Sequence, residues 1–291
     1  MGHSANQQIN RVTAWLNMIR ISNSPTVISN ILVGTAIAMQ SVYWSWQPIF
    51  YLFISLCILV TYFAGMILND AFDAKFDKIN RTERPIPMGI ITRPTAWCAG
   101  LVLLGAVSIF GLGHGSANGL VLLVIAVLLY TFLHRWFVPA LALMAICRAL
   151  VYLIVANPEQ GENCTLLITF CAAIAFYTAV LTCIGRFENN KKTTLSWATW
   201  LLLLPPLFVV VENLPNSWLA CIPLTFMTYW IWLAWLDFKS DNKIAGMHRI
   251  LSGFCLLDCV LATTLEQYVI AGLCALCFII TVVFHRRILG T

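Results

Sequence analysis

PIFYLFISLCILVTYFAGMILN, residues 48–69, runs without a break into DAFDAKFDKINRTERPIPMG, residues 70–89. The first stretch carries no charged side chain over its 22 residues, and about 20 apolar residues in a helix cross the ~30 Å hydrocarbon core of a bilayer. The second stretch opens with aspartates at 70, 73 and 77. Steps of three and four put all three carboxylates on one face of a helix that continues past the apolar run. A transmembrane helix with an acidic stripe at one end is the element around which the chain must be organised.

The rest of the chain agrees with a lipid environment. Of 291 residues, 60% are hydrophobic and only 10% charged, whereas soluble domains carry about 25% charged residues. Ten apolar runs are expected as spans: 19–39, 48–69, 94–112, 117–134, 137–156, 165–184, 194–212, 217–236, 246–262 and 266–284. They predict an all-α fold, a polytopic transmembrane helical bundle forming one domain over 1–291, with short connectors and no low-complexity tract. Trp44, Trp46, Trp97, Trp136, Trp218 and Trp235 fall near the run boundaries, where interfacial aromatics sit. Nearly all of the 11 cysteines lie inside apolar runs, including the Cys274-xx-Cys277 pair. With no histidine or carboxylate beside that pair, it reads as small packing residues and not as a metal or redox motif. Residues 1–16 are polar, and no cleavage site follows the run that begins near Ile19, so the first helix is expected to be retained.

Charge sets the orientation. If the N-terminus is cytoplasmic, the inside segments hold 16 of the 17 Lys and Arg residues, and the remaining one, Arg148, lies within a span. The outside loops carry Glu159, Glu162, Glu212 and Glu266. This is the positive-inside bias, and it puts both termini and the acidic stripe on the cytoplasmic side. The net charge of +5 is therefore not a nucleic-acid signal.

Three stacked carboxylates repel one another and persist best with a cation between them. Mg²⁺ suits such a stripe, because it takes a few carboxylates and completes its octahedron with water and phosphate oxygens; Asn69 offers a neutral oxygen beside them. Lys78, Arg81 and Arg84-Pro85 follow directly, and guanidinium forks match phosphate geometry. Metal and arginines together describe a diphosphate site. The plainer alternative is a solvated helix end followed by a basic segment that grips anionic lipid. The spacing of the stripe and the Arg-xx-Arg-Pro behind it favour the site.

Charged groups within spans are costly and normally face a cavity or a partner. Arg148 is expected to line the cavity, and Tyr152, one turn on, shares its face. Asp258 falls toward the outer end of the ninth span, far from the cytoplasmic motifs, and reads as a structural pair or a rim residue and not as a catalytic one. Asn23 and Asn30 are polar at i and i+7 in the first span and are candidates to line the cavity. Nothing in the sequence supports metal binding by His114 or His285.

Asn69-Asp70-xx-Asp73-xxx-Asp77, with Arg81 and Arg84-Pro85 behind it, closely resembles the first signature of the UbiA superfamily of intramembrane prenyltransferases. The Arg20-Ile-Ser-Asn23 opening of the first span and the helical layout fit the same family over nearly the whole chain. The resemblance implies nine to ten spans around a central cavity, Mg²⁺ at two aspartate-rich motifs, and a prenyl diphosphate lying among the helices. It implies transfer of the prenyl group to a lipophilic or aromatic acceptor. The catalytic residues would be Asp70, Asp73, Asp77 and Arg81. Substrate contacts would come from Asn23, Asn69, Lys78, Arg84, Arg148, Tyr152, Arg186 and Lys192. Tyr62, Phe63 and Tyr177 are candidates to stabilise a carbocation through their ring faces.

The chain departs from the family after the sixth span, where 185–192 reads GRFENNKK. Glu188 is the only carboxylate there. It is expected to assist a metal, with Arg186 and Lys191–Lys192 replacing part of the missing metal charge; the alternative is a helix-end glutamate paired with Lys191 or Lys192. The family is commonly built from nine helices, and this chain offers ten. A terpene cyclase acting without acceptor and a non-enzymatic isoprenoid-lipid binder or transporter are the rival readings. Membrane lipid is an expected partner and nucleic acid is not. Prenyl chain length, acceptor and oligomeric state are not encoded legibly. A bacterial inner membrane is the default location, because no organelle transit peptide is visible.

Overall fold

The computed structural model describes residues 10–41, 45, 47–111, 117–157, 164–188, 196–213 and 217–287. These form α1 (Arg11–Met18), α2 (Ser24–Ala38), α3 (Pro48–Asn80), α4 (Arg93–Gly111), α5 (Ala117–Leu133), α6 (Phe137–Ala156), α7 (Cys164–Glu188), α8 (Leu204–Asn213), α9 (Cys221–Lys239), α10 (Lys243–Thr264) and α11 (Tyr268–Arg287). No strand occurs among the described residues. Among the described residues, eight helical segments are long and apolar enough to cross a membrane, and α2 and α5 are shorter. The chain is a multi-pass membrane protein, and each of the ten expected runs contains a helix.

Two runs are not the continuous α-helices their hydropathy suggested. The first, expected over 19–39, becomes α-helical only at Ser24. Ile21–Asn23 is a short 3-10 turn, and Arg20 adopts a left-handed backbone with φ 49°. Pro25 explains the break, because proline has no N–H to donate and is tolerated only in a helix's first turn. Ser24 and Thr26 turn their hydroxyls back onto the carbonyls of Ile21 and Asn23, both at 2.8 Å. The seventh run is likewise split, a 3-10 segment over Ser196–Leu203 giving way to α8 at Pro205-Pro206.

α3 has 33 residues and so is about 50 Å long at 1.5 Å per residue. That exceeds the ~30 Å hydrocarbon core, so the end bearing Asn69 to Asn80 projects beyond it.

Two hydrophobic cores flank a shared pair of helices. Val27 and Ile31 of α2 and Val151, Ile154 and Val155 of α6 pack with α3, α4 and α5. Val33, Ala36 and Ile37 of α2 and Tyr152 of α6 pack with α7, α9, α10 and α11. At this seam the helices approach closely: a Cβ on Gly34 would stand 2.7 Å from the Val155 Cβ. α11 is an integral part of the second core, through Cys274, Cys277 and Phe278. All 11 cysteines are free.

Candidate functional site

Arg81 ends α3 by donating its N–H to the Asp77 carbonyl at 2.8 Å, and the chain then folds back. Ile90 N–H closes onto the Pro85 carbonyl at 3.1 Å, with Gly89 at φ 73° making the bend. Ile86, Ile90 and Ile91 anchor the returning loop in an apolar cluster with Met18, Ile67 and Ala71. Arg93 Nε fixes its far end to the Ala71 carbonyl at 2.9 Å.

This return delivers Arg84 to the stripe. Its Nη1 donates to Asp70 Oδ1 at 3.1 Å and to Asp77 Oδ2 at 2.8 Å, so those two oxygens lie within about 6 Å of each other. Arg20 Nη2 is 3.8 Å from Asp70 Oδ1, and Arg81 Nη1 is 4.0 Å from Asp77 Oδ1. The left-handed turn at Arg20 is what brings it here, and its carbonyl accepts the Tyr62 hydroxyl at 3.2 Å.

Asp73 faces a different partner. His134 Nε2 lies 3.0 Å from its Oδ2, and Arg135 Nη2 donates to its Oδ1 at 3.4 Å. Both come from the turn between α5 and α6, and Arg135 also lies over the Phe72 ring at 4.8 Å. The hydrogen bond to Asp73 raises the His134 pKa above its ordinary value against the opposing effect of burial.

The stripe is thus divided, Asp70 with Asp77 and Asp73 apart. Among the described residues no three His, Cys, Asp or Glu side chains converge tightly enough to hold a metal by themselves. The donors still fit Mg²⁺. Asn69 Oδ1 and Asp77 Oδ1 are buried without a hydrogen-bond partner, and both are hard oxygens. Mg²⁺ is ordinarily held by one or two carboxylates plus water and substrate phosphates and not by an all-protein cage.

Asn69 also sits at one end of a cavity of about 90 Å³ enclosed by α2, α3, α5 and α6. Ile58, Tyr62, Met66, Val127, Met144 and Arg148 are among its walls. Its α3 face runs from Asn69 to Ile58, about 16 Å along the helix axis.

Residues 27–257 match the model of the UbiA prenyltransferase family. The chain belongs to the UbiA prenyltransferase family. Among curated relatives, digeranylgeranylglyceryl phosphate synthase of Methanoregula boonei is 44% identical over 82 residues, 26% of this chain and 29% of that protein. The Sulfolobus acidocaldarius enzyme of the same name is 31% identical over 121 residues, 42% of each chain. The chain thus spans well under half the length of these two relatives. A UbiA homologue of Aeropyrum pernix shares the fold with TM-score 0.60 at 14% identity, covering 89% of this chain and 98% of that one. A UbiA homologue of Archaeoglobus fulgidus, bound to GPP and Mg²⁺, aligns with TM-score 0.55 at 14% identity, covering 88% and 99%.

Other residues that the UbiA resemblance singled out are scattered. Arg148 lines the cavity but is held by α2, donating to the Thr26 carbonyl at 3.0 Å, to Thr26 Oγ1 at 2.9 Å and to Asn30 Oδ1, while stacking 4.4 Å over Phe254. Tyr152 does not line the cavity with it: fully buried, it donates its hydroxyl to Asp258. Packing at the α2–α6 seam turns it toward α10, so it does not share the cavity with Arg148 as helical period suggested. Asp258 also accepts from Asn30 Nδ2 at 2.8 Å, as a structural pair would. Asn23 Oδ1 lies 2.7 Å from His285 Nε2 of α11, away from the aspartates' partners. Arg186 donates to the Arg135 carbonyl at 3.2 Å, tying the end of α7 to the turn that holds Asp73. Lys78 is exposed at the end of α3. Glu188 closes α7, and its side chain, like Lys192 and its neighbours 189–191, lies outside the described residues.

His134 and Arg135 carried a legible signal that went unused. They end the fourth apolar run on the same membrane side as the stripe, and a connector of a few residues leaves them little freedom to be elsewhere.

Proposed function

We propose that this UbiA-family chain is an Mg²⁺-dependent intramembrane prenyltransferase that ionises a prenyl diphosphate and passes the prenyl group to a lipophilic or aromatic acceptor. One observation carries the reading: two buried aspartates ringed by three arginines follow directly on Asn69, which lines one end of an apolar cavity between helices. The names of the curated relatives and the ligands of the Archaeoglobus fulgidus homologue support it.

Asp70, Asp77 and Asn69 would hold the metal, which when bound offsets part of the charge on the departing diphosphate. Arg20, Arg81 and Arg84 bind the diphosphate oxygens and stabilise the charge that accumulates as the allylic C–O bond breaks. The electron pair of that bond leaves with the diphosphate. Ile58, Met66 and Val127 keep water from the prenyl group, and the Tyr62 and Tyr130 rings in the same wall offer their faces to the developing cation. The acceptor carbon or oxygen then forms the new bond and releases its proton. The positive-inside bias supports a cell membrane with both termini and the stripe on the cytoplasmic face. The curated relatives are archaeal, so their likeness gives no support to a bacterial over an archaeal membrane.

The test is purified protein in lipid, given Mg²⁺ and prenyl diphosphates of increasing length, with and without a lipid extract as acceptor source. Mass spectrometry should find prenylated acceptor only when the extract is present. A cyclic hydrocarbon or alcohol formed from the diphosphate alone would replace the transferase with a cyclase. Intact diphosphate in every mixture would leave only isoprenoid binding or transport.

A further inference from the structure

Arg84 occupies one oxygen of each of the two aspartates that a metal at the stripe would bridge. Its Nη1 is hydrogen-bonded to Asp70 Oδ1 and Asp77 Oδ2, whereas Arg20 and Arg81 stand off at 3.8 and 4.0 Å. The three side chains therefore differ in kind: two shape the field, and one bridges both carboxylates. A divalent cation bridging Asp70 and Asp77 would compete with the guanidinium that sits between them, and the two cations would repel each other there.

We propose that Arg84 is the built-in counter-ion of Asp70 and Asp77, and that diphosphate draws it away so that metal and diphosphate bind as a coupled pair. This rests on the metal-dependent reading above. The diphosphate provides both parts of the exchange. Its oxygens give the guanidinium fork a new anionic partner, and they complete the coordination of a metal that keeps only a few protein ligands. The loop around Arg84 is anchored by Ile86, Ile91 and the bond from Arg93 to the Ala71 carbonyl, so it is the side chain that moves. Its consequence is ordered use of the site: metal alone competes with Arg84, and bare carboxylates are never left facing one another inside the protein.

Mn²⁺ titration followed by electron paramagnetic resonance tests the idea without turnover, with a non-ionising prenyl thiolodiphosphate as the second ligand. Wild-type protein should bind Mn²⁺ weakly alone and at least tenfold more tightly with the analogue, within the usual range of coupling between sites. Arg84→Gln should bind Mn²⁺ alone about tenfold more tightly than wild type, bind the analogue more weakly, and lose most of the coupling. Arg84→Lys, which keeps the charge but loses the fork, should fall between them and serves if Arg84→Gln does not fold. Metal affinity in Arg84→Gln and Arg84→Lys that is unchanged or weaker, with coupling intact, overturns the counter-ion role. Asp70→Asn separates the two readings. If it abolishes Mn²⁺ binding while the Arg84 variants behave as wild type, only the exchange fails; if it leaves Mn²⁺ binding unchanged, the metal site itself is wrong.

Discussion

Replacing Asp258 with leucine should cost the fold heavily, although Asp258 touches neither the stripe nor the cavity wall. It is fully buried in α10 and accepts hydrogen bonds from Asn30 Nδ2 of α2 at 2.8 Å and from the Tyr152 hydroxyl of α6. Asp258→Leu strands both donors in the interior, at about 1–3 kcal/mol each, for a total of about 2–6 kcal/mol. Interhelical hydrogen bonds measured in membranes average only about 0.6 kcal/mol, so a value near the low end would mean that the unfolded chain finds other partners. Asp258→Asn keeps an oxygen for Tyr152 but meets Asn30 with a second NH₂, and should cost about half as much. In Asp258→Leu with Tyr152→Phe no hydroxyl is stranded, so the double variant should recover at least about 1 kcal/mol relative to the sum of the singles. Equilibrium unfolding in mixed micelles of rising dodecyl sulfate fraction measures these three variants beside Tyr152→Phe alone and wild type. A loss below about 1 kcal/mol for Asp258→Leu, together with simple additivity in the double variant, would refute the claim that this cluster clamps α2, α6 and α10.

The cavity makes a specificity prediction: a Cβ on Gly65 would stand 2.9 Å from Val127 Cγ1. Gly65→Ala should lower kcat/KM for long prenyl diphosphates more than for short ones, and Val127→Ala in the same chain should restore the balance. Gly253→Ala would drive a methyl into the Tyr177 hydroxyl oxygen, which donates to the Ile250 carbonyl at 2.8 Å. It should destabilise by about 1–3 kcal/mol through overpacking, with partial relief from Tyr177→Phe, read by thermal melts in detergent. His134→Ala leaves Asp73 with Arg135 alone and should destabilise the protein by about 1–3 kcal/mol, read by thermal melts in detergent, while Mn²⁺ affinity, which rests on Asp70 and Asp77, stays at the wild-type value.

Much of this architecture was readable from residues 48–89. An uncharged 22-residue run followed by carboxylates and arginines located α3, its overshoot and the cluster of carboxylates and arginines at its end, because hydropathy and helical spacing act locally. What local spacing cannot show is how each aspartate is partnered. Asp73 shares a face with Asp70 and Asp77 by position, yet His134 and Arg135 draw it away from more than 60 residues downstream. Arg20 reaches Asp70 from a left-handed turn that precedes α2, within a stretch that hydropathy read as uninterrupted span. Tyr152 was placed with Arg148 by helical period. The two do lie one turn apart, but close packing of α2 on α6 gives one the cavity and the other Asp258.

The most direct test of the central claim is release of diphosphate from a prenyl diphosphate by the purified, lipid-embedded protein, with acceptor present and with Mg²⁺ either supplied or chelated. The account predicts release in wild-type protein, its disappearance on chelation and return with added Mg²⁺, and a fall of about a hundredfold or more in Asp77→Asn. Release that persists under chelation, or that Asp77→Asn leaves at the wild-type rate, would contradict it.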